Sequence, residues 1–265
     1  MPPASAGFIA VTPAASESVR ERPYGFYVRM GYACAAVAFL GFAPTYWMPV
    51  AAGTFSGAPI VHLHGLLFFG WTVLFIVQAH TMNARLRVRH RALGLFGIAL
   101  ATAMVFTGMM VAIHSMQIGI AAGVDARARA FSIVPITTVL TFAGLVAAAI
   151  AASRRPAEHM RLMLVATISL LVPAFARVFR VALTPPGVII GAANPVPVGR
   201  SLMASAAADL VLAVAIAHDW RERGRPHRTY IVAGLVLVTV QVLRVPLADT
   251  AAWHSVTNVL LSLWN

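Results

Sequence analysis

The sequence predicts an all-α, polytopic membrane protein with seven transmembrane helices. Three observations carry this. The 265 residues are 60% hydrophobic and 11% charged, about half the charge of a soluble domain. Apolar runs of about twenty residues recur along the chain, the length that crosses a bilayer as helix. The runs are continuous rather than alternating, which argues against a barrel and leaves helices as the spanning structure.

The spans fall at roughly 25–47, 60–82, 91–114, 130–152, 159–182, 200–219 and 228–247. They form one transmembrane domain over residues 24–250. Residues 1–23 are small, polar and proline-containing, and are expected to be a disordered cytoplasmic tail. They lack the basic-then-apolar order of a signal peptide. Residues 251–265, with Trp253 and Trp264, are too short to span and are expected at the outer interface.

Arginine placement orients the chain. Arg20, Arg22 and Arg29 precede span one. Arg85, Arg87, Arg89 and Arg91 fill the turn after span two. Arg154, Arg155 and Arg161 fill the turn after span four, and Arg221, Arg223, Arg225 and Arg228 the turn after span six. The other side holds Arg127, Arg129, Arg177, Arg180, Arg200 and Arg244. The richer side is therefore expected to be cytoplasmic, in a bacterial inner membrane, with the N-terminus inside and the C-terminus outside.

The net charge of +12 comes from arginine alone. The arginines sit in short turns rather than on one face, so nucleic acid is not the expected partner; the lipid bilayer is. Lysine is absent, so a retinal Schiff base cannot form. The single cysteine, Cys34, excludes an internal disulfide.

His62 to His114 is the richest stretch, a hairpin of two apolar segments around a basic turn. His64, Trp71 and Gln78 recur every seven residues and form one helical stripe. A polar stripe should face the bundle interior. His62 and His64 point about 200° apart on a regular helix. His62, His64 and His114 nonetheless lie at similar depth near the outer end, where metal ligation or proton handling is expected.

His90, His159 and His227 each follow a basic turn and open an outward-running helix. They stand 69 and 68 residues apart, which suggests one leading helix followed by three hairpin repeats. These histidines are either cofactor ligands or polar residues at the interface.

A second outer group is charged. Arg177 and Arg180 lie one turn apart in span five, Gln241 and Arg244 in span seven, and Asp209 near the middle of span six. An acid at that depth needs a partner, and the outer arginines are the expected ones. The group is either a structural salt bridge or a pocket for an anion, a carboxylate or haem propionates. Zinc-protease, di-iron, covalent-haem, phosphate-loop and serine-elbow motifs are absent.

The residues His62, His64, Trp71, Gln78, His90, Arg91 and Gly94 resemble a family of uncharacterised bacterial integral membrane proteins. Their hairpin reads His-x-His, Trp, Gln, then His-Arg-x-x-Gly. The likeness continues through Glu158–Met163, Pro173 and Arg177, and through Asp219, Gly224–His227, Gln241, Arg244 and Trp253. It implies an architecture and assigns no activity. A weaker likeness is to di-haem, ascorbate-reducible cytochrome b bundles. There, paired histidines sit on neighbouring helices; here His90 and His114 share one helix, about 36 Å apart.

The leading expectation is a membrane protein binding b-type haem or a transition metal through His62, His64, His114, His90, His159 and His227, for electron transfer. Other membrane subunits or a quinone are its expected partners. The alternatives are a transporter or ligand-binding protein with an outer pocket from Trp71, Gln78, Arg177, Arg180, Asp209, Gln241 and Arg244, and a non-catalytic subunit of a membrane complex.

Overall fold

The computed structural model describes residues 24–185 and 191–264. It is all-α, and seven helices are long and apolar enough to cross a membrane. The proposed tail 1–23 lies outside the described residues.

Span one is α1, Gly25–Phe42, continued by a π-helical turn, Ala43–Trp47, and a short α2, Met48–Ala51. Pro44 opens the wide turn, because a proline removes a donor and crowds the preceding carbonyl. The span therefore runs to Ala51 rather than 47. Two long helices follow, α3 at Pro59–Asn83 and α4 at Arg87–Ala121. At 35 residues, α4 is about 52 Å long and overruns the expected end at His114. The polar Ser115 and Gln117 do not stop it; it ends before Gly123, whose φ of +80° few other residues tolerate.

Span four is α5, Asp125–Ala151, which starts five residues earlier than expected. Asp125 at its first turn suits the helix dipole and bonds Arg129 one turn on. Span five is interrupted. α6 covers Pro156–Ser169 and α7 covers Val172–Leu183. Pro173 causes the break, since its missing N–H and its ring act against the carbonyl of Ser169. The last spans are α8, Ser201–Arg223, entered through a 3₁₀ turn at Val198–Arg200, and α9, Arg228–Leu247. The C-terminal α10, Ala251–Ser262, packs on α4 and α5 and is too short to span. The Trp253 indole donates to the Arg129 carbonyl at 2.9 Å, and Arg129 bonds Thr257 and Asn258.

α6 is the central helix. Leu164, Val165, Ala166 and Ile168 are wholly enclosed, and α1, α5, α8 and α9 all pack on it. Residues 164–169 are all buried, so the polar side chains of Thr167 and Ser169 on α6 meet protein rather than lipid. By contrast Leu40, Leu66, Leu95, Phe106, Leu210 and Leu235 are exposed around the bundle, the outward apolar belt a bilayer covers. Close helix approach uses glycine. A Cβ on Gly41 would lie 2.8 Å from both the Cβ and the carbonyl oxygen of Ala174 on α7.

Candidate functional site

The arginine-rich end brings two of the repeat histidines together. His90, in the first turn of α4, and His159, in the first turn of α6, have ring centroids 6.2 Å apart and planes at 86°. His159 Nδ1 lies 2.8 Å from the Ala149 carbonyl. A carbonyl only accepts, so Nδ1 is the donor, and in the neutral tautomer that fits this contact Nε2 is the nitrogen able to ligate. The Nδ1 of His90 is buried without a hydrogen-bond partner. Gln78 of α3 donates to the His90 carbonyl at 3.1 Å and ties the start of α4 to α3.

His227 does not join this pair. It is the N-cap of α9, where its Nδ1 accepts from the Thr229 N–H at 3.2 Å. Its own N–H donates to Asp219 at 2.8 Å. Burial first, then the Arg161 and Arg223 charges, hold its imidazole below the ordinary histidine range.

Asp219 belongs to a knot that the sequence reading missed. Arg161, counted there as a turn arginine, is buried on α6 and ion-paired with Asp219 of α8. Arg161 Nη1 also donates to the Ala157 carbonyl at 2.7 Å, and its guanidinium lies 5.5 Å from the Tyr230 ring centroid. The available signal was scarcity: acids number only eight in the whole chain, and one of them falls in an apolar helix beside Trp220.

In mid-bundle, Trp71 is packing and polar at once. It donates to the Thr167 hydroxyl of α6 at 3.2 Å and meets Phe142 edge-on at 5.0 Å. The stripe through His64, Trp71 and Gln78 does turn inward, with Trp71 only 4% exposed.

The opposite end separates the expected metal ligands. His62 hydrogen-bonds the Tyr46 hydroxyl at 3.0 Å and packs beside Phe55. His64 turns the other way onto Phe68, at 4.1 Å between centroids, with a buried Nδ1 that has no partner. His114 is half-buried on α4, two turns inside its end. The described residues contain no group of three His, Cys, Asp or Glu able to hold a metal ion, so His62, His64 and His114 do not form the expected trio. The cause is the opposed projection of positions 62 and 64 on one helix.

The outer charged group is also divided. Arg177 of α7 lies over the Phe42 ring at 4.0 Å and donates to the Pro173 carbonyl at 3.1 Å. Arg180 follows one turn later on the same helix. Arg244 of α9 is 2% exposed and donates instead to the Ser205 hydroxyl of α8 at 2.6 Å. Asp209 accepts from Gln241 at 3.2 Å and makes no ion pair among the described residues. The expected arginine partner of Asp209 is thus an amide, because Gln241 stands one turn before Arg244 and reaches the acid first.

Comparison with family models, curated proteins and solved structures finds no match to this chain.

Proposed function

We propose that the chain is a bacterial inner-membrane protein that binds a metal-centred redox cofactor, most simply a b-type haem, through His90 and His159, and passes electrons. The observation that supports this reading is the pair itself. The rings stand 6.2 Å apart between centroids on two neighbouring elements, and two imidazoles would be the axial donors such a group takes.

The chemistry of the donors fits. A ligating histidine donates its second ring N–H to a carbonyl or carboxylate, and His159 does so to Ala149. His90 offers a buried nitrogen that no described residue satisfies, a costly arrangement unless something binds there. The bound group would supply one-electron chemistry near the membrane face. The protein holds the two rings on the first turns of α4 and α6. The twelve described arginines that precede or fill the turns at this end support a cytoplasmic position for the pair under the positive-inside rule.

The test is the absorption spectrum of the purified chain after expression with haem supply. A Soret band is expected, lost in His90→Ala and in His159→Ala and kept in His62→Ala and His114→Ala. No Soret band and no stoichiometric metal in the wild-type protein would overturn the reading.

A further inference from the structure

A second site lies in the middle of the bundle, independent of the histidine pair. A cavity of about 20 Å³ is lined by Thr137, Thr138 and Thr141 of α5, Ser169 at the break of span five, and Gln241 and Arg244 of α9. That volume holds one water or one monatomic ion. Thr138 is the central residue of α5, so the cavity sits at the depth where an unpaired charge is least tolerated.

Three features there favour negative charge. Arg244 is 2% exposed and has no ion-pair partner among the described residues. Its Nε is buried without a hydrogen bond. Its one bonded nitrogen, Nη2, goes to Ser205, a neutral hydroxyl that itself donates to the Ser201 carbonyl. Asp209 is in electrostatic reach of Arg244 but forms no ion pair with it among the described residues; its Oδ1 accepts from Gln241.

The second feature is the broken helix. Val172, the first residue of α7, lines the cavity. In its first turn Pro173 has no N–H and the Phe175 N–H bonds the Leu171 carbonyl, so Val172 and Ala174 carry the donors, and the dipole places partial positive charge there. A discontinuous helix that ends at mid-membrane is a recurrent way to hold an anion. The third is Thr141. Thr137 and Thr138 direct their hydroxyl protons to Ile133 and Val134 carbonyls, and Ser169 to Ala166; the Thr141 hydroxyl has no such bond among the described residues and can donate inward.

We propose that this cavity binds a monatomic anion of chloride size, held by Arg244, the N-terminus of α7 and Thr141. The anion neutralises Arg244 and joins α9 to the two halves of span five.

The experiment is thermal unfolding of the full chain in detergent, in sodium chloride against sodium gluconate at equal sodium. Chloride should raise the wild-type midpoint with the logarithm of its concentration above its Kd, by about 3 °C at tenfold excess. Arg200→Gln, on the exposed 3₁₀ turn, should keep the response, and Arg244→Gln should lose it. Equal midpoints in both salts, or a response that survives in Arg244→Gln, overturns the site and leaves a water in the cavity. Should Arg244→Gln fail to fold, Thr141→Val decides. A several-fold higher chloride concentration for the same rise in midpoint supports the site, and an unchanged one overturns it.

Discussion

Arg161 on α6 and Asp219 on α8 form an ion pair that is 3% and 5% exposed, between two helices at the arginine-rich end of the bundle. Asp219 also accepts the His227 N–H, so one carboxylate links α6, α8 and the start of α9. Removing one partner leaves the other buried and uncompensated. Arg161→Met or Asp219→Leu should each cost about 3–5 kcal/mol. The double variant Arg161→Met with Asp219→Leu should be less destabilised than the two single variants together, since no lone charge remains. Denaturant or thermal unfolding of the four proteins checks this, and additive single effects would contradict it.

This knot marks where sequence reading ran out. Seven spans were legible because apolar length is a local property that a bilayer enforces. The inward face of Trp71 and Gln78 followed from a seven-residue spacing, another local property. Which arginine is buried is not local. Arg161 reads like Arg154 and Arg155 in the same basic turn, and only the central placement of α6 separates it from them. Depth alone predicts an arginine for Asp209, yet a neighbouring amide bonds it. The 69-residue echo between His90 and His159 did foreshadow a shared level in the bundle; that His227 serves as a cap instead depends on a backbone turn.

The cap makes a pH prediction. An unfolded imidazole titrates near 6.5, while His227 in the fold is held lower by burial and by Arg161 and Arg223, against the opposing Asp219 and Glu158. Its folded value is depressed, so the fold favours the neutral ring that accepts from Thr229. The contribution is full above about pH 6.5 and is lost as pH falls toward the folded value. The midpoint of unfolding should therefore drop below about pH 6.5. His227→Asn keeps a capping acceptor without a titrating group, and should flatten part of that drop. An unchanged profile in His227→Asn would remove His227 from the explanation.

Packing between α1 and α7 turns on Gly41. Any Cβ there meets Ala174 backbone at 2.8 Å, which a side-chain rotation cannot relieve. Gly41→Ala should destabilise by about 1–3 kcal/mol through forced separation of the helices. Gly144→Ala is the control, because a Cβ at Gly144 meets nothing within 4 Å and alanine favours helix. Side-by-side thermal unfolding should show a loss for the first and no loss, or a small gain, for the second.

Gln78 is a positioning residue for the proposed cofactor site. It sits on α3, contributes no ligand, and fixes the start of α4 by donating to the His90 carbonyl. It also lies 3.7 Å from where a Cβ on Gly94 would be, which keeps α3 and α4 close at the level of the histidines. Gln78→Leu removes the donor while retaining volume. If His90 and His159 hold the cofactor, the change should weaken cofactor retention about 10-fold, within the range for supporting residues around a ligand. A merely structural bond would instead cost about 0.5–1.5 kcal/mol of stability and leave retention unchanged. The rate of haem transfer to an excess of apomyoglobin separates these: faster loss from Gln78→Leu than from wild type, with rescue by Gln78→Asn absent because the shorter amide cannot span 3.1 Å to the same carbonyl, assigns Gln78 its positioning role, and equal rates withdraw it.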